Sequence, residues 1–139
     1  MVEYIKAEAI HRYGEELKIN WERTRELEQE EKYVRFNRWC DENGVIRDCV
    51  RYPVAFGDEG QLVGVAARKE IGLREAICYV PQRMMINVSK FRADPQVGHL
   101  VDKYPRLFKK KINSEHLVLM FFVMHEMGKG EDSFWYDYF

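Results

Sequence analysis

Residues 62–88 read LVGVAARKEIGLREAICYVPQRMMINV, and the fold of the chain turns on how this stretch is parsed. It reads as strand, short turn, strand, and then a corner set by Pro81. Val63, Val65 and Ala67 alternate on one face, and Ile77, Tyr79 and Met85 are placed to pack beside them at period two. Arg68-Lys69-Glu70 and Gly72-Leu73-Arg74-Glu75 supply charge and glycine punctuation between the two apolar runs. Pro81 has no backbone donor, so it ends the second strand or confines it to an edge. The expectation is a β-hairpin with a proline exit.

On the N-terminal side, Val50, Tyr52, Val54 and Phe56 alternate with Arg51, Pro53 and Ala55, which reads as an edge strand. Gly57-Asp58-Glu59-Gly60 then turns the chain back into Leu62. Further upstream, Val2 to Asp41 is dense in Glu, Lys, Arg and Leu, has no proline and only Gly14, and predicts a long helical region. Glu28–Lys32 and Glu31–Arg35 are spaced four apart in the favourable order. Ile10, Tyr13, Leu17, Thr24, Leu27 and Val34 approximate a heptad seam that Asn20 and Glu31 interrupt, and Gly14 is the expected break. Phe36 and Trp39 sit in a last turn that stops at Asn43-Gly44.

On the C-terminal side the chain turns helical after Asn87. Asp94-Pro95 reads as a cap followed by proline at the first helical position, with Val97, Leu100, Val101 and Tyr104 at helical spacing up to Pro105. Lys109-Lys110-Lys111 reads as a solvated turn, and Asn113 or Ser114 caps the next helix. Leu117–Met124 is apolar all round, which predicts a helix buried on most sides and closed by Gly128. His116 and His125 are nine apart with no third ligand in sequence, so no metal site is expected.

A chain of 139 residues, 46% hydrophobic and 14% aromatic, can build one modest core. Its net charge of −1 and pI near 6.4 argue against a dedicated nucleic-acid binder. Cys40, Cys49 and Cys78 lack a C-x-x-C unit and are expected as reduced, mostly buried thiols. The N-terminus lacks a signal-peptide pattern and the longest apolar run is too short for a membrane span, so cytoplasm or nucleus is the expected location.

Three wordings in this sequence resemble one family. Gly64-Val65-Ala66-Ala67-Arg68-Lys69-Glu70-Ile71, Glu75-Ala76-Ile77, Val80-Pro81 and Met85-Ile86-Asn87 resemble the opening of a SET domain. The nearest branch is that of Rubisco large-subunit methyltransferase and related lysine and histidine methyltransferases. Leu62 stands where that branch usually has a glycine, and Arg74 where a glycine usually precedes the Glu. Phe36, Trp39, Asn43 and Gly44 resemble the segment just before the SET core. Leu117, Leu119, Glu126, Gly130, Ser133, Trp135, Tyr138 and Phe139 match, in order, the signature of the branch's inserted helical region.

The resemblance implies an α+β fold with a charged N-terminal helical region (1–43), the N-terminal part of a SET core with a small antiparallel sheet (44–91), and a helical inserted segment (92–139). It implies S-adenosylmethionine as cofactor, gripped in part by Gly60, Gln61, Leu62, Val63 and Gly64. A protein substrate methylated on lysine is the implied partner. The family's Asn-His cofactor motif and channel tyrosine have no match in these residues, so no catalytic residue is assigned. The chain is expected to be an N-terminal fragment, inactive alone. The alternative is a non-catalytic helical interaction module, and unpaired strand edges invite a homodimer or strand-exchanged oligomer.

Overall fold

The computed structural model describes residues 18–108 and 114–139. The expectations for Ile10, Tyr13, Gly14, Leu17, Lys109–Lys111 and Asn113 lie outside the described residues. The fold is α+β, as expected, and the chain divides into two compact units that meet in sequence between Val80 and Pro81. That division falls inside the segment 44–91 expected as one domain.

In the first unit, helix α1 (Trp21–Leu27) starts at Asn20, whose side-chain oxygen accepts the Arg23 N–H at 2.9 Å. The chain bends at Glu28–Glu30, and helix α2 (Glu31–Glu42) begins there. The helical region expected over 2–41 is therefore jointed at Glu28–Glu30, and Lys18–Asn20 within it is not helical. Three ion pairs hold the joint. Glu28 leaves Lys32 and grips Arg51 with both oxygens, at 2.7 and 2.9 Å, while Arg23 takes Glu30 at 2.8 Å. Lys32 lies 3.4 Å from Glu30 instead. Helix α2 ends as predicted. Gly44 (φ 77°) donates to Asp41 and Val45 to Cys40, the paired bonds that satisfy a helix C-terminus when a glycine turns left-handed.

Strand β1 (Val50–Phe56) pairs antiparallel with β2 (Leu62–Ala67), with Val54 opposite Gly64 and Phe56 opposite Leu62. The register slips between Arg51 and Val54, at the cis Tyr52–Pro53 peptide. Gly57 and Gly60, both at positive φ, make the expected turn. β1 is an edge of this two-stranded sheet, as predicted, and among the described residues it is flanked only at its C-terminal end. Lys18–Asn20 runs along its other side, with Asn20 N–H on Ala55 C=O and Gly57 N–H on Lys18 C=O, both at 2.9 Å. Thr24 joins helix to strand. Its fully buried hydroxyl donates to Asn20 C=O at 2.7 Å and accepts the Ala55 N–H at 3.0 Å. Leu27, Tyr33 and Ala55 pack together beside this bridge, so Leu27 of α1 is used inside the unit while Trp21 stays half exposed.

The hairpin expected between 62–67 and 76–80 does not form. After Ala67 the chain bends, and only Tyr79 pairs, exchanging bonds of 3.0 and 2.8 Å with Ile46. Val54 and Ala55 are wholly buried, whereas Ile77 and Tyr79 stay mostly exposed, so the β1 run has far more apolar surface to gain by claiming β2. The bend is fastened by Glu75, which accepts from Lys69 Nζ at 2.6 Å and Gly72 N–H at 2.9 Å. The Lys69 bond foremost, then the Gly72 N–H, holds the Glu75 carboxyl down at about 2.

In the second unit a 3-10 turn (Gln82–Met84) leads to helix α3 (Val88–Ala93), capped by Asn87 on the Lys90 N–H at 3.0 Å. Asp94 does not start a helix as predicted. It ends α3, and its carboxylate holds the N–H groups of Gln96 and Val97 in a turn, so helix α4 begins only at Leu100 (Leu100–Lys103). Gly98 fits there because a side chain would strike Arg92 C=O, 2.3 Å from its Cβ position. Pro105 opens helix α5 (Pro105–Phe108), and helix α6 spans Ser114–Gly128. Phe91, Phe108, Phe122 and Trp135 make the core, with Phe91–Phe122 and Phe122–Trp135 meeting edge to face at 5.9 and 5.5 Å. Helix α6 is not buried all round. It packs Val118 and Phe122 inward, while Met120 and Met124 stand 60% and 64% exposed, because α3 and α5 cover one side of it.

Replacing Thr24 by valine keeps the volume and strands the Ala55 N–H in the core. Urea denaturation is expected to show a loss of about 1–3 kcal/mol. A change below a few tenths would mean that the hydroxyl does not bridge helix and strand.

Candidate functional site

The five residues singled out from sequence form a contiguous ribbon from the β1–β2 turn into β2. Gly60 has φ 64°, its N–H is spent on Gly57 C=O at 3.0 Å, and a Cβ there would lie 2.7 Å from Arg23 Cγ. The Gln61 amide folds over Gly57, and the Phe56 ring lies 3.2 Å from where a Gly64 Cβ would be. Leu62 and Val63 face solvent. The hollows left by the glycines are thus filled by Arg23, Gln61 and Phe56. Enclosing S-adenosylmethionine requires walls for the adenine and a cation for the carboxylate, and these five residues provide neither. On their own they do not fit the group.

A second cluster was not legible in the sequence. It joins the end of α3 to the end of α6. Glu126, 3% exposed, accepts from Lys129 Nζ at 2.5 Å and from Ser133 Oγ at 2.7 Å. The same Ser133 oxygen accepts the Trp135 N–H at 3.1 Å, and Trp135 Nε1 donates to Met84 C=O at 2.8 Å. Lys129 also reaches Asp94 Oδ2 at 3.2 Å, and Lys90 Nζ sits 4.7 Å above the Trp135 ring. Glu126, Gly130, Ser133 and Trp135, which in sequence are only a spaced signature, are here one corner of the chain. All four are joined by hydrogen bonds, Gly130 through its C=O, which accepts the Ser133 N–H at 3.0 Å.

His125 Nε2 is buried without a hydrogen-bond partner among the described residues and lies 3.6 Å from Asp94 Oδ2. Ligand atoms of Asp94, His125 and Glu126 all lie within 4.8 Å of one another, a grouping that could hold a metal ion. The Lys129 ammonium bonds both carboxylates and so takes the place of a cation between them. His116 belongs to no such group among the described residues. Sequence spacing links His125 to Glu126 but not to Asp94, more than thirty positions away, which only tertiary folding brings in.

The electrostatics follow from these contacts. Burial alone would raise the Asp94 pKa, but the Gln96 N–H, the Lys129 ammonium and the Val97 N–H outweigh it and hold the carboxyl below its ordinary value. Burial would lower Lys129, yet Glu126 and then Asp94 raise it. Lys90, beside the Trp135 ring, is lowered by burial against the pull of Glu126.

A carboxyl depressed on folding stabilises above its unfolded pKa, near about 4, and loses that contribution as pH falls through the folded value. Thermal melts of Asp94→Asn and the parent chain should therefore differ most above about pH 5 and converge as pH falls below the ordinary carboxyl range. A gap that stays constant with pH would show that the charge of Asp94 contributes nothing. Compared with family models, curated proteins and solved structures, the chain matches none.

Proposed function

We propose that this chain supplies the N-terminal part of a SET-domain protein-lysine methyltransferase that uses S-adenosylmethionine, and that these residues transfer no methyl group alone. The observation that carries the reading is the backbone at Arg74. It has φ 69° and is the one non-glycine residue at positive φ among the described residues. It occupies the position where the resembled family has a glycine, so an arginine here holds a conformation that glycine adopts freely. The Asn43-Gly44 helix end and the Glu126–Ser133–Trp135 corner add support, because both give family-like wordings a structural reason.

S-adenosylmethionine, when bound, supplies an electrophilic methyl group for attack by an amine. The described residues do not wall that group, and no step of the transfer is assigned to them. Their part is to present the 60–64 ribbon and β2 on a rigid ladder, held by Thr24 and by the Arg51–Glu28 pair. Partners and compartment follow the same reading: a lysine-bearing protein substrate, in the cytoplasm or the nucleus.

Two experiments bear on this. Arg74→Gly should relieve the left-handed strain and stabilise the chain by about 0.5–1 kcal/mol, after the extra freedom of glycine in the unfolded state is set against it. Destabilisation would remove the observation on which the reading rests. The complete open reading frame encoding these residues should bind S-adenosylmethionine in calorimetry and move its labelled methyl group onto protein lysine. If that protein neither binds the donor at millimolar concentration nor labels any lysine, the assignment is wrong.

A further inference from the structure

Among the described residues, strand β2 is paired on one side only. The outer side of β1 is flanked by Lys18–Asn20 at Ala55–Gly57, but no described strand pairs with the far edge of β2. The residues Leu62–Ala67 carry none of the usual guards of an open edge: no proline, no charge and no bulge on their side of the ladder. Leu62, Val63 and Val65 are 51%, 44% and 57% exposed. Alternate residues of a strand turn their N–H and C=O groups to opposite edges. Arg68 gives its N–H to Cys49 C=O on the β1 side, at 2.8 Å, so Val63 and Val65 turn theirs outward.

The charges flanking the strand choose its partner. Asp58 and Glu59 precede β2, and Arg68 and Lys69 follow it. All four are exposed. A second copy laid antiparallel about Gly64 brings Glu59 of each strand opposite Lys69 and beside Arg68 of the other, at both ends of the pair, while Asp58, opposite Glu70, keeps its own Lys18 at 3.7 Å. A parallel copy sets acid against acid. A two-fold axis normal to the sheet requires opposed residues to share a face, and centring it on Gly64 places Val63 opposite Val65 of the second copy, twice over.

We infer that β2 is a self-pairing edge through which two copies of this chain join antiparallel about Gly64. The inference does not depend on the methyltransferase reading, and its failure leaves that reading untouched. Sedimentation of the 139-residue chain should show a mass rising with concentration from 16.7 kDa towards twice that value. Amide exchange at Val63 and Val65 should slow in the same range. Val65→Lys, which installs a guard on the edge, should keep the chain monomeric with an unchanged circular dichroism spectrum. Glu59→Lys, which sets lysine against Lys69 of the other copy, should weaken the dimer roughly tenfold at low salt. A chain that stays monomeric up to its solubility limit overturns the proposal. So does a dimer that survives Val65→Lys, which would place the contact on another surface, such as the exposed methionines of α6 or a helix of the first unit.

Discussion

Each unit of this protein is pinned by a hydrogen-bond network around one buried polar side chain, and each network spans more than thirty residues of sequence. In the first unit it is Thr24. Its hydroxyl sits in a fully buried position and is both donor and acceptor, so helix α1 and strand β1 cannot separate without leaving the Ala55 N–H unpaired in an apolar core. In the second it is Glu126, whose two oxygens are shared between Lys129 and Ser133. A buried carboxylate is tolerated because an ammonium and a hydroxyl meet it at close range. Apolar packing supplies most of the driving force in both units, but these two groups fix which surfaces meet.

The same logic explains why the glycines of the 60–64 ribbon are not evidence of a ligand by themselves. Gly60, at positive φ, lies against Arg23, and Gly64 lies close to the Phe56 ring, so the turn and packing of this chain account for both. What the ribbon offers outward is its strand edge and the side chains of Leu62 and Val63. A methyltransferase reading and a self-pairing edge therefore draw on different features. The first rests on Arg74 and the wordings around it, the second on the unguarded side of β2.

The Asp94–His125–Glu126–Lys129 cluster shows how a metal-like set of donors can be structural. Two carboxylates and an imidazole converge, yet the ammonium of Lys129 lies between the acids and lowers the cost of burying them. Its effect is to tie the end of α6 to the turn after α3. The aromatic core of Phe91, Phe122 and Trp135 sits under that tie.

The features that the sequence determined by itself are those whose physics is local. Asn43-Gly44 stops α2, Gly57 and Gly60 make the turn before β2, and Asn87 caps α3, because a cap or a left-handed turn needs only residues within a few positions of one another. Tertiary structure decided the rest. The run 76–80 is as strand-like in composition as 50–56, and β1 won β2 because its residues bury far more surface. Helix α6 is apolar all round in sequence, and which side stays exposed depended on where α3 and α5 lie. Asp94 carries the look of a helix start before Pro95, but its carboxylate became the end of one helix and half of an ion cluster. Its partners stand more than thirty residues away, and no spacing in the chain announces them.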